Sequence, residues 1–195
     1  MLRRLFALSV LLLVALAPAA LAANVKIRVE GKTTTIFGAS QPRVSAGNAL
    51  QALDVASTVG EFYYGMTTSS FGDYVSQIGK YPAAGSAGWA FKVNGVSPPV
   101  GADKVTLKDG DVVLWYYATF GPAGGPPTLE LQRLPANCYV VESVTDAGKR
   151  ARSANATLLA DGKRFTTRNG RACIGKHAGL VRAAAPGAIR SNAQQ

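Results

Sequence analysis

The stretch Asp111-Val112-Val113-Leu114-Trp115-Tyr116-Tyr117-Ala118 is apolar on both sides of an extended chain. Successive side chains of a strand point to opposite faces, so Val113, Trp115 and Tyr117 share one face and Val112, Leu114 and Tyr116 the other. A strand with one wet face alternates apolar with polar residues. This one does not, so it is central and covered on both faces, or else lends one face to a ligand. Just upstream, Trp89, Phe91 and Val93 alternate with Ala90 and Lys92 and run into Asn94-Gly95, a pair suited to the positive φ of a tight hairpin. Val105 to Leu107 then leads into a second turn, Lys108-Asp109-Gly110, which delivers the chain to the apolar strand.

Further out, Val25, Ile27 and Val29 alternate with Lys26, Arg28 and Glu30, the pattern of a half-buried strand with its charges toward water. Thr33 to Phe37 is β-branched and is expected to be its hairpin partner. Ser45 is an N-cap candidate for a short helix, since Ala49, Ala52, Leu53 and Ala56 recur at helical spacing until Gly60. From Gly60 to about residue 86 the chain is rich in aromatics and turns, and reads as loop with short strands.

Gly121-Pro122-Ala123-Gly124-Gly125-Pro126-Pro127 continues neither a helix nor a central strand and reads as a linker. Residues 24–121 carry 13 of 16 aromatics with 8 basic against 7 acidic groups, whereas residues 122–195 carry 2 aromatics with 11 basic against 4 acidic groups. The expected organisation is therefore a domain over 24–121, a Gly/Pro linker over 122–127 and a second domain over 128–195. In the latter, short β-branched or apolar runs (128–134, 138–144, 154–159, 164–167, 171–174, 180–184) are separated by Asp146-Ala147-Gly148, Asp161-Gly162, Asn169-Gly170 and Pro186-Gly187. Strands at intervals of about 8–12 residues predict a small β-sandwich. The last residues, Ala193-Gln194-Gln195, read as a frayed tail.

Residues 1–22 carry Arg3 and Arg4, then an apolar run from Leu5 to Ala17, then Pro18 and the small residues Ala20-Leu21-Ala22. This is the pattern of a secretory signal peptide cleaved after Ala22 or Ala23; the run is shorter than the ~20 residues a membrane span requires. The expected product is exported, with no transmembrane anchor in the mature chain. In an oxidising compartment the two cysteines, Cys138 and Cys173, are expected to pair. Lying on an early and a late strand, they would staple the two sheets of the sandwich.

Gly88-Trp89-Ala90-Phe91-Lys92-Val93-Asn94-Gly95, Gly101-Ala102-Asp103 and Leu107-Lys108-Asp109-Gly110-Asp111-Val112-Val113-Leu114-Trp115 together resemble the bacterial family similar to the transcobalamin C-terminal domain. The resemblance covers about residues 24–121. It implies a small β-grasp-like α+β domain with one helix and a non-enzymatic role. In transcobalamin the corresponding domain covers one face of bound cobalamin against a helical domain, and nothing resembling that helical domain occurs in this chain. The C-terminal part more weakly resembles immunoglobulin-like or carboxypeptidase-regulatory-like modules. The fold class expected overall is mainly β.

The chain carries a single histidine, His177, and no Gly-x-Ser-x-Gly elbow, paired-histidine zinc motif or phosphate loop. Asp109 and Asp111 read as turn formers rather than a glycosidase pair. No catalytic residue, cofactor or metal is expected. Candidate ligand-binding residues are Tyr63, Tyr64, Tyr74, Trp115 and Tyr117, aromatics that suit a small planar ligand, a corrinoid among them, or a surface glycan. A domain this small needs large side chains for its own core, and that reading is the stronger one for most of these rings, with Trp89 and Phe91 the foremost core members. The basic surplus after the linker, densest at Lys149, Arg150 and Arg152 and next at Lys163, Arg164, Arg168 and Arg171, suits an anionic envelope polymer or a plain solvated surface. It comes with no motif for specific nucleic-acid recognition. The alternative to a binding module is a structural or adhesion protein of the envelope.

Overall fold

The computed structural model describes residues 22–69 and 72–195. The expected signal sequence lies almost wholly outside the described residues. The first module opens with β1 (Ala23–Glu30), β2 (Thr35–Phe37), β3 (Arg43–Ala46) and α1 (Ala49–Val59). It continues through β4 (Tyr64–Ser69), β5 (Gly72–Ile78), β6 (Tyr81–Pro82), β7 (Ala87–Val93) and β8 (Val112–Thr119).

β8 is central, as its two apolar faces require: it pairs parallel with β1 and antiparallel with β7. β2 and β3 both pair antiparallel with β1, which completes a five-stranded mixed sheet. One face carries Val25, Ile27, Val29, Val113 and Trp115, and α1 closes that core with Ala49, Ala52, Leu53 and Ala56. This is the expected mainly β, α+β architecture, with the only α-helix among the described residues.

The helix starts three residues later than Ser45 suggested. Ser45 lies on β3, and Asn48 caps the helix by accepting the Gln51 N–H through Oδ1 at 2.8 Å. The turn-rich stretch after Gly60 is a three-stranded antiparallel sheet, β4-β5-β6, rather than mostly loop. The Asn94-Gly95 turn forms as read, with φ of 53° and 85°, and Asn94 Oδ1 accepts the Val112 N–H at 2.9 Å. Asp109 and Asp111 are turn formers, accepting the backbone N–H groups of Asn24 and Lys108 respectively.

The second module is the expected β-sandwich. Its first sheet centres on β10 (Cys138–Val144), flanked by β9 (Thr128–Leu134) on one side and by β11 (Arg150–Arg152) and β14 (Arg171–Cys173) on the other. The second sheet is β13 (Lys163–Thr166), β12 (Thr157–Ala160) and β15 (Arg182–Ala184). Leu129, Leu131, Tyr139, Val141, Leu158, Val181 and Ala183 fill the space between them. Cys138 and Cys173 are disulfide-bonded. They are cross-strand partners on β10 and β14, so the bridge fastens two strands of one sheet and does not staple two sheets together. It closes a separation of 35 residues. Replacing both cysteines by serine is expected to lower the unfolding free energy by about 3–4 kcal/mol, read as a fall in the urea midpoint with a steeper slope, because the unbridged denatured chain exposes more surface.

Three further features differ from the sequence expectation, and each involves contacts at or across the junction of the modules. The charged side of β1 does not face water: Arg28 and Glu30 are buried, at 2% and 0% exposure. Glu30 accepts from Arg28 at 3.1 Å, from Arg182 at 2.5 Å and from Arg190 at 2.9 Å, and the last two cations come from the second module. The Gly/Pro stretch is pinned, with the Gly125 N–H donating to Asp146 at 3.0 Å. The C-terminal residues are tied rather than frayed. Asn192 pairs with both the N–H and C=O of Leu131, Gln194 and Val181 exchange backbone hydrogen bonds, and the Ala193 N–H donates to Ala39 O at 2.7 Å. Those backbone groups would otherwise be left unpaired at the sheet margin, which is costly.

The second face of β8 is thereby covered as well. Leu114, Tyr116 and Ala118 pack with Ala90, Phe120 and the second module's Ile189. Beside them Lys92, fully buried, reaches across to Asp146 at 3.2 Å, Val144 O at 3.1 Å and Thr128 at 3.3 Å.

Candidate functional site

β7 is the last strand of its sheet and, among the strands of the described residues, is paired with β8 alone. A groove of about 370 Å³ runs beside it. Trp89 and Phe91 of β7 and Trp115 of β8 form its floor, with Leu50 and Ala102 alongside. Phe91 and Trp115 face each other across the strands with ring centroids 5.1 Å apart. Met66 and Tyr74, on β4 and β5, rise as one wall and are 41% and 48% exposed. The other wall is the loop Ser97–Asp103 and the connector after β8, from Phe120 to Gly125.

The polar lining has one sign. Asp73, Asp103 and Asp146 contribute carboxylates, and no lysine, arginine or histidine lines the groove. Asp73 accepts from the Thr68 hydroxyl at 2.6 Å. The exposed Lys104 ammonium, 2.8 Å from Asp103, holds that carboxyl below the usual range through its hydrogen bond. At Asp146 partial burial favours the neutral acid, but the Gly125 N–H and then the Lys92 ammonium outweigh it, so its pKa also lies below the usual value. The pair is asymmetric: Lys92 is the more desolvated partner, and burial drives its pKa down despite the carboxylate. Burial, then the Asp146 charge, pushes the Tyr116 phenol beside them up to about 12.

Because the folded-state pKa of Asp146 is depressed, its contribution to stability is present above the unfolded value of about 3.9. That contribution is lost as pH falls through the lower folded value. In acid unfolding followed by circular dichroism, Asp146→Asn is therefore expected to be less stable than the wild type at pH 7. The gap should narrow as the pH falls below the unfolded value and close once Asp146 is protonated in the folded state as well. A gap that persists unchanged at pH 2 would exclude charge at Asp146 as its cause.

Of the five sequence candidates, Tyr74 and Trp115 reach this groove. Trp115 does so from the core side, at 2% exposure, with its Nε1–H donating to Ala49 O at 3.1 Å. The others do not join them. Tyr63 is 66% exposed but lies away from the groove. Tyr64 donates its hydroxyl to Asp54 at 3.0 Å. Tyr117 packs on Tyr81 and Trp89 and donates to Pro82 O at 3.0 Å. The five therefore do not form one platform. Trp89 and Phe91, read as core, are half-buried and serve as both core and floor. The alternation of Trp89 and Phe91 opposite Trp115 is the signal for that floor; Asp146 reads in the sequence only as the start of a turn.

Elsewhere, the His177 ring is held structurally. Its Nδ1–H donates to Gly179 O at 2.9 Å and its Nε2 accepts from the Tyr139 hydroxyl at 2.7 Å, a tautomer assigned from these partners. No group of three His, Cys, Asp or Glu residues with metal-site proximity occurs among the described residues. No helix among them is long and apolar enough to cross a membrane.

The fold and groove define a small α+β domain with parallel β1 and β8, joined through a buried interface to a disulfide-bonded β-sandwich. Residues 45–119 match a domain of unknown function, DUF4430. The matched stretch runs from within β3 through β8 and holds both tryptophans and most of the groove's lining. No curated protein matches the chain.

Proposed function

We propose that this is an exported, non-catalytic binding protein that takes a small molecule into the groove beside β7. The observation that carries the reading is the aromatic floor of Trp89, Phe91 and Trp115 under an open cavity of about 370 Å³. Such a cavity accepts a planar ring system or a sugar ring, which stack well on aromatic faces. Export rests on the N-terminal sequence pattern, and a disulfide suits an oxidising compartment. The resemblance of the matched domain to the transcobalamin C-terminal type keeps corrinoids among the candidates. A corrinoid is larger than the groove and would be held by one edge.

The test is a fluorescence titration of the mature protein with cobalamin, cobinamide and envelope oligosaccharides, with free tryptophan as the inner-filter control. The chain's two tryptophans both line the groove, so occupancy should give saturable quenching. No saturable change with any of them would reject these ligand classes.

A second reading, contact with an anionic envelope polymer, has one observation in its favour. Arg152, Arg168 and Arg171 lie exposed around the Asn169-Gly170 turn, where Gly170 packs against Arg152. None of the three has an acidic partner among the described residues. Retention on such a polymer should weaken as salt is raised.

A further inference from the structure

We infer that the groove selects an organic cation, a ligand with an ammonium or similar head on an apolar or aromatic body. The inference rests on the small-molecule reading and narrows its chemistry. Four rings that are partly accessible, Tyr74, Trp89, Phe91 and Phe120, border the cavity. Aromatic faces carry negative quadrupole potential and attract cations, most strongly where water is partly excluded.

The charged lining reinforces this. Asp73, Asp103 and Asp146 all belong to the wall, and no cationic side chain does. Lys92 approaches Asp146 from beneath, buried in the module interface, and is fixed there by Val144 O and Thr128. Lys104 is different: it is 74% exposed and its pair with Asp103 is a surface ion pair, worth little. A ligand cation can displace it at small cost. Asp73 has only the Thr68 hydroxyl as a side-chain partner among the described residues. Lys92 and Lys104 offset Asp146 and Asp103 from outside the lining, which leaves Asp73 as the carboxylate without a cationic partner among the described residues. An anionic ligand would meet that charge and the aromatic faces with no lining cation to pair with, so the groove selects by sign.

The experiment compares phenylbutyl-trimethylammonium with its uncharged isostere, in which carbon replaces nitrogen, and with phenylbutyrate. Binding is read by tryptophan fluorescence and by the Trp89 indole N–H resonance. The cation is expected to bind about tenfold tighter than the isostere, a difference of about 1.4 kcal/mol, and phenylbutyrate weakest. Asp73→Asn and Asp103→Asn, both at exposed positions, are expected to remove most of that preference by weakening the cation far more than the isostere. Equal affinity for cation and isostere, or a preference indifferent to both substitutions, overturns the inference and leaves the small-molecule groove standing. No binding by any of the three, with the resonance unmoved, overturns both.

Discussion

Glu30→Gln is expected to lower the unfolding free energy by about 3–5 kcal/mol, because removing one member of a buried charge cluster leaves the others uncompensated. Glu30 has no exposed surface, and its two oxygens accept from three guanidinium groups and from Thr35. Glutamine keeps the shape but supplies an NH₂ where an acceptor is required. Arg28 suffers most. It is fully buried, and its Nε is the one buried side-chain N or O atom without a partner among the described residues. Desolvation already pushes its pKa down to about 10, with Glu30 the main opposing influence. In an Arg28→Met background the Glu30→Gln change should cost less, and the difference between the two costs is the coupling energy of that pair. Urea unfolding followed at both tryptophans measures it. A loss under about 1 kcal/mol for the single substitution would show that water enters the cluster and the charges are not desolvated.

Trp115→Ala is expected to cost about 3–5 kcal/mol, the range for removing a large buried ring whose surroundings relax only partly. The ring is 2% exposed, packs on Phe91 and donates to a helix carbonyl at Ala49. Its loss should loosen α1 from the sheet, seen as a lower thermal midpoint and faster amide exchange in the helix. Tyr63→Ala, at a ring 66% exposed, should change stability by no more than about 0.5 kcal/mol. If Trp115→Ala left stability within that same margin, Trp115 would be a ligand platform rather than core. Ligand studies are therefore better served by Trp89→Phe or Tyr74→Ala, which alter the groove's half-buried floor and its exposed wall.

The two modules do not behave as beads on a flexible string. Glu30 with Arg182 and Arg190, Lys92 with Asp146, and the Ala39–Ala193 backbone contact all cross between them. Asp146 belongs to the second module yet lines the groove of the first. A ligand of the kind proposed would therefore touch both, and its binding would stabilise the whole chain by mass action.

Local pattern was enough for much of this protein. The doubly apolar run 112–118 marks the central strand. The Asn94-Gly95, Asp161-Gly162 and Asn169-Gly170 pairs mark tight turns, all with positive φ at both residues. Spacing of alanines and Leu53 marks the helix, and regular short runs mark the sandwich. Each of these signals is local, carried by side-chain periodicity or by what a dipeptide permits of its own backbone.

Which polar faces meet water was decided elsewhere. Alternation on β1 reads identically whether Arg28 and Glu30 face solvent or face cations more than 150 residues away. Desolvation is a property of what covers a face, and the cover here comes from the other end of the chain. The same holds for the groove. Trp89, Phe91 and Trp115 are visible as strand residues, but their becoming a floor depends on where β5 and the connector stand. The carboxylate of Asp146 is held at that wall by Lys92 and the Gly125 N–H, partners that no local pattern links to it.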